Sequence, residues 1–260
     1  MKSPLRIAFF LPILLAASTV SGQYAKWVDP FLGVAGGGNV FPGPVVPFGM
    51  IKPGPDMTAE TGHDANAGWN ADGAIRGFSQ THVSGTGGGA KYGNILVTPT
   101  TGAVSPSDPS SPREDEHGSA GFYAVNLTRY NIGAEISATR RCAIYRFSYP
   151  AGSPANLLFD VSHYLLSGLR TGEDQLLTGS DIHILSPTDV SGSTSITGGW
   201  NKQPNSYTVY FYARTDTPAI SSGTWLNGEL SPGGKSVRGQ AGSTSGAWLT
   251  FSSPAHPVLL

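Results

Sequence analysis

The sequence is poor in cysteine, in charge and in long apolar runs. Cys142 is the only cysteine among 260 residues, so no disulfide can staple a single copy of the chain. It stands in an alternating stretch and is expected to be a small buried hydrophobe rather than a reactive thiol. Charged residues make up 13% of the chain, about half of the usual ~25%. The net charge is −1 and no block of like charge occurs, which excludes the basic footprint that nucleic acid or an anionic membrane surface requires. The longest apolar stretch, Ile7 to Ala17, falls short of the roughly 20 residues that a membrane-spanning helix needs. A neutral substrate fits this charge balance better than a charged one.

Glycine and proline are plentiful, at 35 and 20 residues, which favours many tight turns over long helices. The expected fold is therefore all-β, an antiparallel β-sandwich with few or no long helices. Strand signals recur at Asn94 to Thr98, Gly121 to Leu127, Leu157 to Val161, Tyr207 to Ala213 and Ala247 to Phe251. The clearest is Ile132 to Ile144, where Ile132, Ala134, Ile136, Ala138, Cys142 and Ile144 alternate with polar residues and only Arg140 breaks the pattern. The one helix candidate, Tyr164 to Leu177, is interrupted by Gly168 and Gly172 and reads better as a turn-rich connection. Pro99 to Gly121, with its Ser, Pro and the acidic trio Glu114, Asp115 and Glu116, reads as an exposed loop whose carboxylates are solvated.

Both termini carry signals. Lys2 and Arg6 precede the apolar run, and Val20 and Gly22 suit a cleavage site, so residues 1–22 read as a secretory signal peptide and 23–260 as one exported, extracellular domain. The apolar Pro257-Val258-Leu259-Leu260 reads as an element interrupted rather than as a polar tail. Asn126-Leu127-Thr128 is a sequon, which makes Asn126 a glycosylation candidate on the surface.

Chemistry is sparsely encoded. Gly85 to Tyr92 resembles a phosphate loop, but Ala90 stands where the second glycine belongs and Tyr92 where Ser or Thr would hold magnesium. A serine-hydrolase reading of His82 and Ser84 finds no nucleophile elbow. His63, Asp64 and His82 lack a zinc spacing, so no metal site is expected within the chain. Sugar binding is easier to build: a flat aromatic face covers the C–H patch of a sugar ring while amides and carboxylates bond its hydroxyls. Trp69, flanked by Asn66, Gly68, Asn70 and Asp72, offers that combination, although the same ring could instead pack into the sandwich.

A family resemblance enters through ordered motifs. These are Trp27-Val28-Asp29-Pro30-Phe31-Leu32-Gly33, the run Asn39 to Met50, and Gly77-Phe78-Ser79-Gln80-Thr81-His82-Val83-Ser84-Gly85-Thr86-Gly87, followed by Gly121-Phe122-Tyr123, Thr139-Arg140-Arg141 and Gly198-Gly199-Trp200. In this order they resemble the N-terminal domain of glycoside hydrolase family 92, particularly its fungal members. The resemblance implies exo-acting, calcium-dependent, inverting hydrolysis of α-linked mannose by an enzyme whose N-terminal β-sandwich precedes a catalytic (α/α)6 barrel. That barrel would supply the general acid, the general base and most or all of the calcium site. The chain would then be a truncated sugar-pocket domain, inactive alone, with α-mannose-containing glycans and the absent barrel as its partners. Gly36, Gly37, Trp69, His82 and Ser84 become the candidate substrate-binding residues, with Trp69 where the family has a tyrosine. A stand-alone carbohydrate-binding or cell-wall module and a purely structural sandwich are the competing readings.

Overall fold

The computed structural model describes residues 24–34, 39–58, 68–85, 91–165, 174–201, 204–252 and 254–260. No α-helix occurs among them. Glycine, proline and alternating apolar residues produce sixteen strands instead. In chain order these begin with β1 (Gly54–Met57), β2 (Ile75–Ser79), β3 (Leu96–Thr101), β4 (Arg113–Ser119) and β5 (Phe122–Leu127). Next come β6 (Ile132–Ala138), β7 (Ala143–Ser148), β8 (Ala155–Asp160), β9 (Gln175–Ile184), β10 (Asp189–Gly198) and β11 (Ser206–Arg214). The last are β12 (Ser221–Leu226), β13 (Glu229–Pro232), β14 (Ser236–Gln240), β15 (Ser245–Phe251) and β16 (Val258–Leu259).

All pairings are antiparallel and form three sheets, in the orders β1-β2-β3-β8-β15-β12-β13, β11-β10-β9-β14 and β16-β7-β6-β5-β4. Strand periodicity explains the layering. On β8 and β15 the alternate residues Leu157, Phe159, Leu249 and Phe251 share one core with Tyr123 and Phe147 of the five-stranded sheet and with Ile182 and Val190 of the four-stranded sheet. Both smaller sheets therefore cover the same face of the seven-stranded one. Its other face carries a small cluster of Leu158, Trp225 and Trp248.

The sandwich expected from the sequence is thus present, with three local corrections. Ile132 to Ile144 is two strands, because the Thr139 hydroxyl takes the Cys142 N–H at 3.1 Å and closes a turn at the place where Arg140 broke the alternation. That turn leaves Cys142 exposed rather than buried and puts Ile144 on the outer face, 52% exposed. From Gln175 the helix candidate is already strand β9, while residues 166–173 lie outside the described ones.

The third correction concerns the acidic segment. Arg113–Ser119 is a strand paired with β5 across a bulge between Glu114 and His117, and bulges re-aim side chains. Glu114 and Asp115 face solvent, whereas Glu116 turns inward. Its carboxylate accepts the Trp69 indole N–H at 2.8 Å, the Tyr123 hydroxyl at 2.7 Å and Arg113 Nε at 2.7 Å. Arg113 in turn donates to the backbone carbonyls of Asn70, Ala71 and Gly73. Burial, reinforced by the Glu116 charge, pushes the Tyr123 hydroxyl pKa well above its ordinary value, so it remains a donor.

Removing one partner from a buried ionic network leaves the others unpaired, which costs about 3–5 kcal/mol. Glu116→Ala is accordingly expected to lower unfolding free energy in urea by about 3 kcal/mol, whereas Glu114→Ala should stay within about 0.5 kcal/mol. Equal effects would show that Glu116 is no better tied than its solvated neighbour.

Candidate functional site

A buried polar cluster in the described chain is built on Asp56 of β1. The register with β2 shifts between Asp56 and Met57, and Asp56 is wholly buried. One carboxylate oxygen lies 2.6 Å from His82 Nε2 and the other 2.8 Å from His163 Nε2. His82 follows β2 and is fixed by an antiparallel bridge to Tyr92. Its Nδ1 lies 2.7 Å from the Lys52 carbonyl, and the ring stacks on Phe41 with centroids 4.4 Å apart. A carbonyl and a carboxylate are both pure acceptors. The geometry is therefore fully satisfied when both ring nitrogens carry hydrogen.

Burial by itself would raise the Asp56 pKa, but the charge and hydrogen bonds of His82 and His163 outweigh it and hold the carboxyl well below the usual carboxylate range. Gly68 is required beside the cluster. A side chain there would put Cβ 2.5 Å from Asp56 Oδ1, and the residue sits at φ +92°, where L residues are strained.

The sequence-predicted residues distribute unevenly around this centre. Gly36 and Gly37 lie outside the described residues, as do Gly87 to Gly89 of the second glycine run. Their flanks do meet: the Gly85 N–H donates to the Asn39 carbonyl at 2.6 Å. Ser84 is half-buried next to this junction. Trp69 follows Gly68 directly but is only 6% exposed, edge-on to Phe31 and with the Arg113 guanidinium 5.5 Å from its ring centroid. In the described chain it packs, as the bland alternative had it, and does not present an open face. Asn126 is half-buried on β5 with its amide donating to Asp115 at 2.9 Å. Lys91, from the run that mimics a phosphate loop, is buried with its ammonium 5.8 Å from the Trp200 ring centroid.

Sequence reasoning missed Asp56 and His163. They lie 26 and 81 residues from His82, and no spacing rule joins them; the one available signal was Asp56 inside an apolar strand, where an unpaired carboxylate is not tolerated. Calcium does not fit this cluster, since it takes six to eight oxygens and the Asp56 oxygens are held by two histidine nitrogens. No group of three or more metal-ligating side chains occurs among the described residues.

Because the folded Asp56 pKa is depressed, its contribution to stability is in force above its unfolded value of about 4 and is lost as pH falls below that. Asp56→Asn is expected to destabilise the chain at pH 6 and to flatten the fall in melting temperature between pH 4 and pH 2. Parallel melting curves of the variant and the parent chain over that window would refute the pairing.

Comparison with known proteins places the domain in a family. Residues 27–260 match the family model described as the glycosyl hydrolase family 92 N-terminal domain. An "uncharacterized secreted glycosidase" of Arthroderma benhamiae is 31% identical over 164 residues, which cover 56% of this chain and 20% of that protein. Among solved structures, a family GH92 α-mannosidase from Bacteroides thetaiotaomicron, in complex with mannoimidazole, superposes with a TM-score of 0.76 at 26% identity. That match covers 90% of this chain and 31% of the other. The family GH92 glycosyl hydrolase ccman5 matches with a TM-score of 0.73 at 28% identity, over 91% of this chain and 32% of its own. The chain thus spans between a fifth and a third of the length of these relatives, and it belongs to glycosyl hydrolase family 92 through that family's N-terminal domain.

Proposed function

We propose that the chain is the sugar-pocket domain of a secreted exo-α-mannosidase that inverts configuration as it releases α-linked mannose from glycans, and that it is inactive alone. The observation that carries this reading is the Asp56–His82–His163 cluster. It lies where His82, the Gly68 turn and the segment after β8 converge, inside a domain matched to solved α-mannosidases. Buried and fully engaged, these groups hold loops and do not attack a substrate. Residues 1–22 act in this reading as the export signal, in keeping with the word "secreted" in the name of the Arthroderma relative.

The chemical step needs two carboxyl groups about 6.5–9.5 Å apart with a water between the base and the anomeric carbon. Asp56 is sealed from water and Glu116 is occupied by three donors, so neither is free for that role. In this reading the acid and base come, as the family resemblance implies, from the part of the family enzymes that this chain does not span. Calcium would be held there as well. The domain's own task in this reading is to shape and close one wall of the pocket, with Gly36, Gly37, His82 and Ser84 as its candidate sugar-contacting residues. Trp69 supports that wall from behind.

The 260-residue chain alone should give no release of mannose from an α-mannoside above background, since each missing acid or base removes typically 10²–10⁴-fold in rate. Joined to the remaining length of a family 92 relative, it should turn over, and His82→Ala should then raise KM more than it lowers kcat. Vigorous mannose release by the chain alone would overturn the reading.

A further inference from the structure

Asn126-Leu127-Thr128 is the only sequon in the 260 residues, and the fold closes it at both ends. Asn126 lies on β5 opposite Glu114 of β4, next to the bulge where Asp115 takes a φ of +52°. Its Nδ2 donates to the Asp115 carboxylate at 2.9 Å. The Thr128 hydroxyl donates to the Pro112 carbonyl at 3.1 Å, and the Thr128 N–H reaches the same oxygen at 3.0 Å. Glycosylation acceptors are read in open loops, whereas both groups of this one are committed inside a strand ladder.

The outer face of the same sheet has room for a sugar. A depression of about 510 Å³ lies beside Asn126 over β4 to β7, within the roughly 300–1,000 Å³ that small-ligand sites occupy. Its floor includes the small residues Ala124 and Gly133. A Cβ at Gly133 would stand 3.6 Å from Asn126 Oδ1 and from Ser148 Cβ, so a longer side chain there would fill the space beside the carboxamide. Asp115, His117, Glu135 and Ser148 supply polar groups around it. A small apolar floor suits the C–H face and acetyl methyl of an N-acetylhexosamine, and carboxylate, imidazole and hydroxyl groups suit its hydroxyls. The carboxamide itself is compatible with attachment. Asp115 uses one Nδ2 hydrogen, and the other meets no protein acceptor among the described residues. Replacing that second hydrogen with a sugar carbon leaves the Asp115 bond in place.

We propose that Asn126 carries an N-linked glycan, attached before β4 closes on β5, whose innermost N-acetylglucosamine is seated in this depression. The inference rests on the export reading given above, because the donor is a lipid-diphosphate oligosaccharide of the secretory pathway. Nδ2 bonds to the anomeric carbon of that oligosaccharide, the bond from this carbon to the diphosphate oxygen breaks, the lipid diphosphate leaves, and Nδ2 loses one proton. The order of events follows from the stability of the pieces. Two strands alone are marginally stable in water, so the sequon stays open until β6, β7 and the large sheet pack against the β4–β5 pair. Once they do, Asp115 and Pro112 take up the two groups that the transfer requires.

The test places a proven secretion leader ahead of Met1, so that the outcome does not depend on the export reading of residues 1–22. In a glycosylating yeast the secreted chain should carry one glycan, and peptide-N-glycosidase should remove it and leave aspartate at position 126. Thr128→Ala should abolish the glycan and Thr128→Ser should keep it. A secreted chain without a glycan would overturn the proposal. The folded, unmodified chain, offered to solubilised oligosaccharyltransferase with its lipid-linked donor, should react at most about a tenth as fast as the peptide of residues 122–131, since reaction at a closed site follows its open fraction. Equal rates would overturn the order of events. After enzymatic trimming to a single sugar, the acetyl methyl should give nuclear Overhauser contacts to Ala124 and Gly133. A sugar without such contacts stands in solvent and would overturn the seat.

Discussion

A carboxylate withdrawn wholly from water stays ionised only when opposite charge and hydrogen-bond donors surround it. Asp56 meets that condition by drawing in two histidines, one from the segment after β2 and one from the segment after β8. The pairing is demanding because neither partner is near in sequence; His163 comes from 107 residues away. Gly68 must lack a side chain, Phe41 must lie flat on the His82 ring, and the Lys52 carbonyl must meet its second nitrogen. Four separate stretches of chain are thereby held at one point, and the flanks of the glycine runs are held with them.

A second ionic hub is built on Glu116. Glu116 gathers Trp69, Tyr123 and Arg113, and Arg113 reaches back to the carbonyls of the turn after Trp69. Gly68 touches the first hub and Trp69 the second, so the peptide bond between them couples the two. This arrangement gives the domain a rigid wall made of satisfied charges. Under the proposed function such a wall suits preorganisation of a pocket, because groups already committed to one another do not rearrange when a neutral ligand arrives. The same commitment makes these residues poor candidates for acid–base work.

Most of the fold was legible in the sequence because alternation and turn residues report burial locally. Tyr207 to Ala213 and Ala247 to Phe251 are strands as their patterns required, and the family motifs pointed to the domain that the fold and the matched relatives then identified. The failures share a cause. Arg113–Ser119 was composed like a loop, since its strand character comes from pairing with β5 and from the inward turn of a single glutamate. Cys142 matched the parity of its neighbours but sits in the turn that resets that parity. Trp69 carried the composition of a sugar platform, yet its ring was claimed by Phe31 and Arg113 from distant segments. His82 was picked out by motif, whereas Asp56 and His163 became visible only once three strands had brought them together.

The order of strands in the seven-stranded sheet has a temporal meaning. Its central contact pairs β8 with β15, residues 155–160 with 246–251, and its β3–β8 contact spans more than fifty residues. The run β4 to β7 and the pair β10–β11 are built from neighbouring strands and can close early, since local contacts need little loop-closure entropy. The large sheet beneath them cannot close until β15 is available, close to residue 260. Until then the inner faces of both small sheets stand uncovered, so the growing chain keeps its apolar surface and strand edges open to chaperones or to other copies of itself.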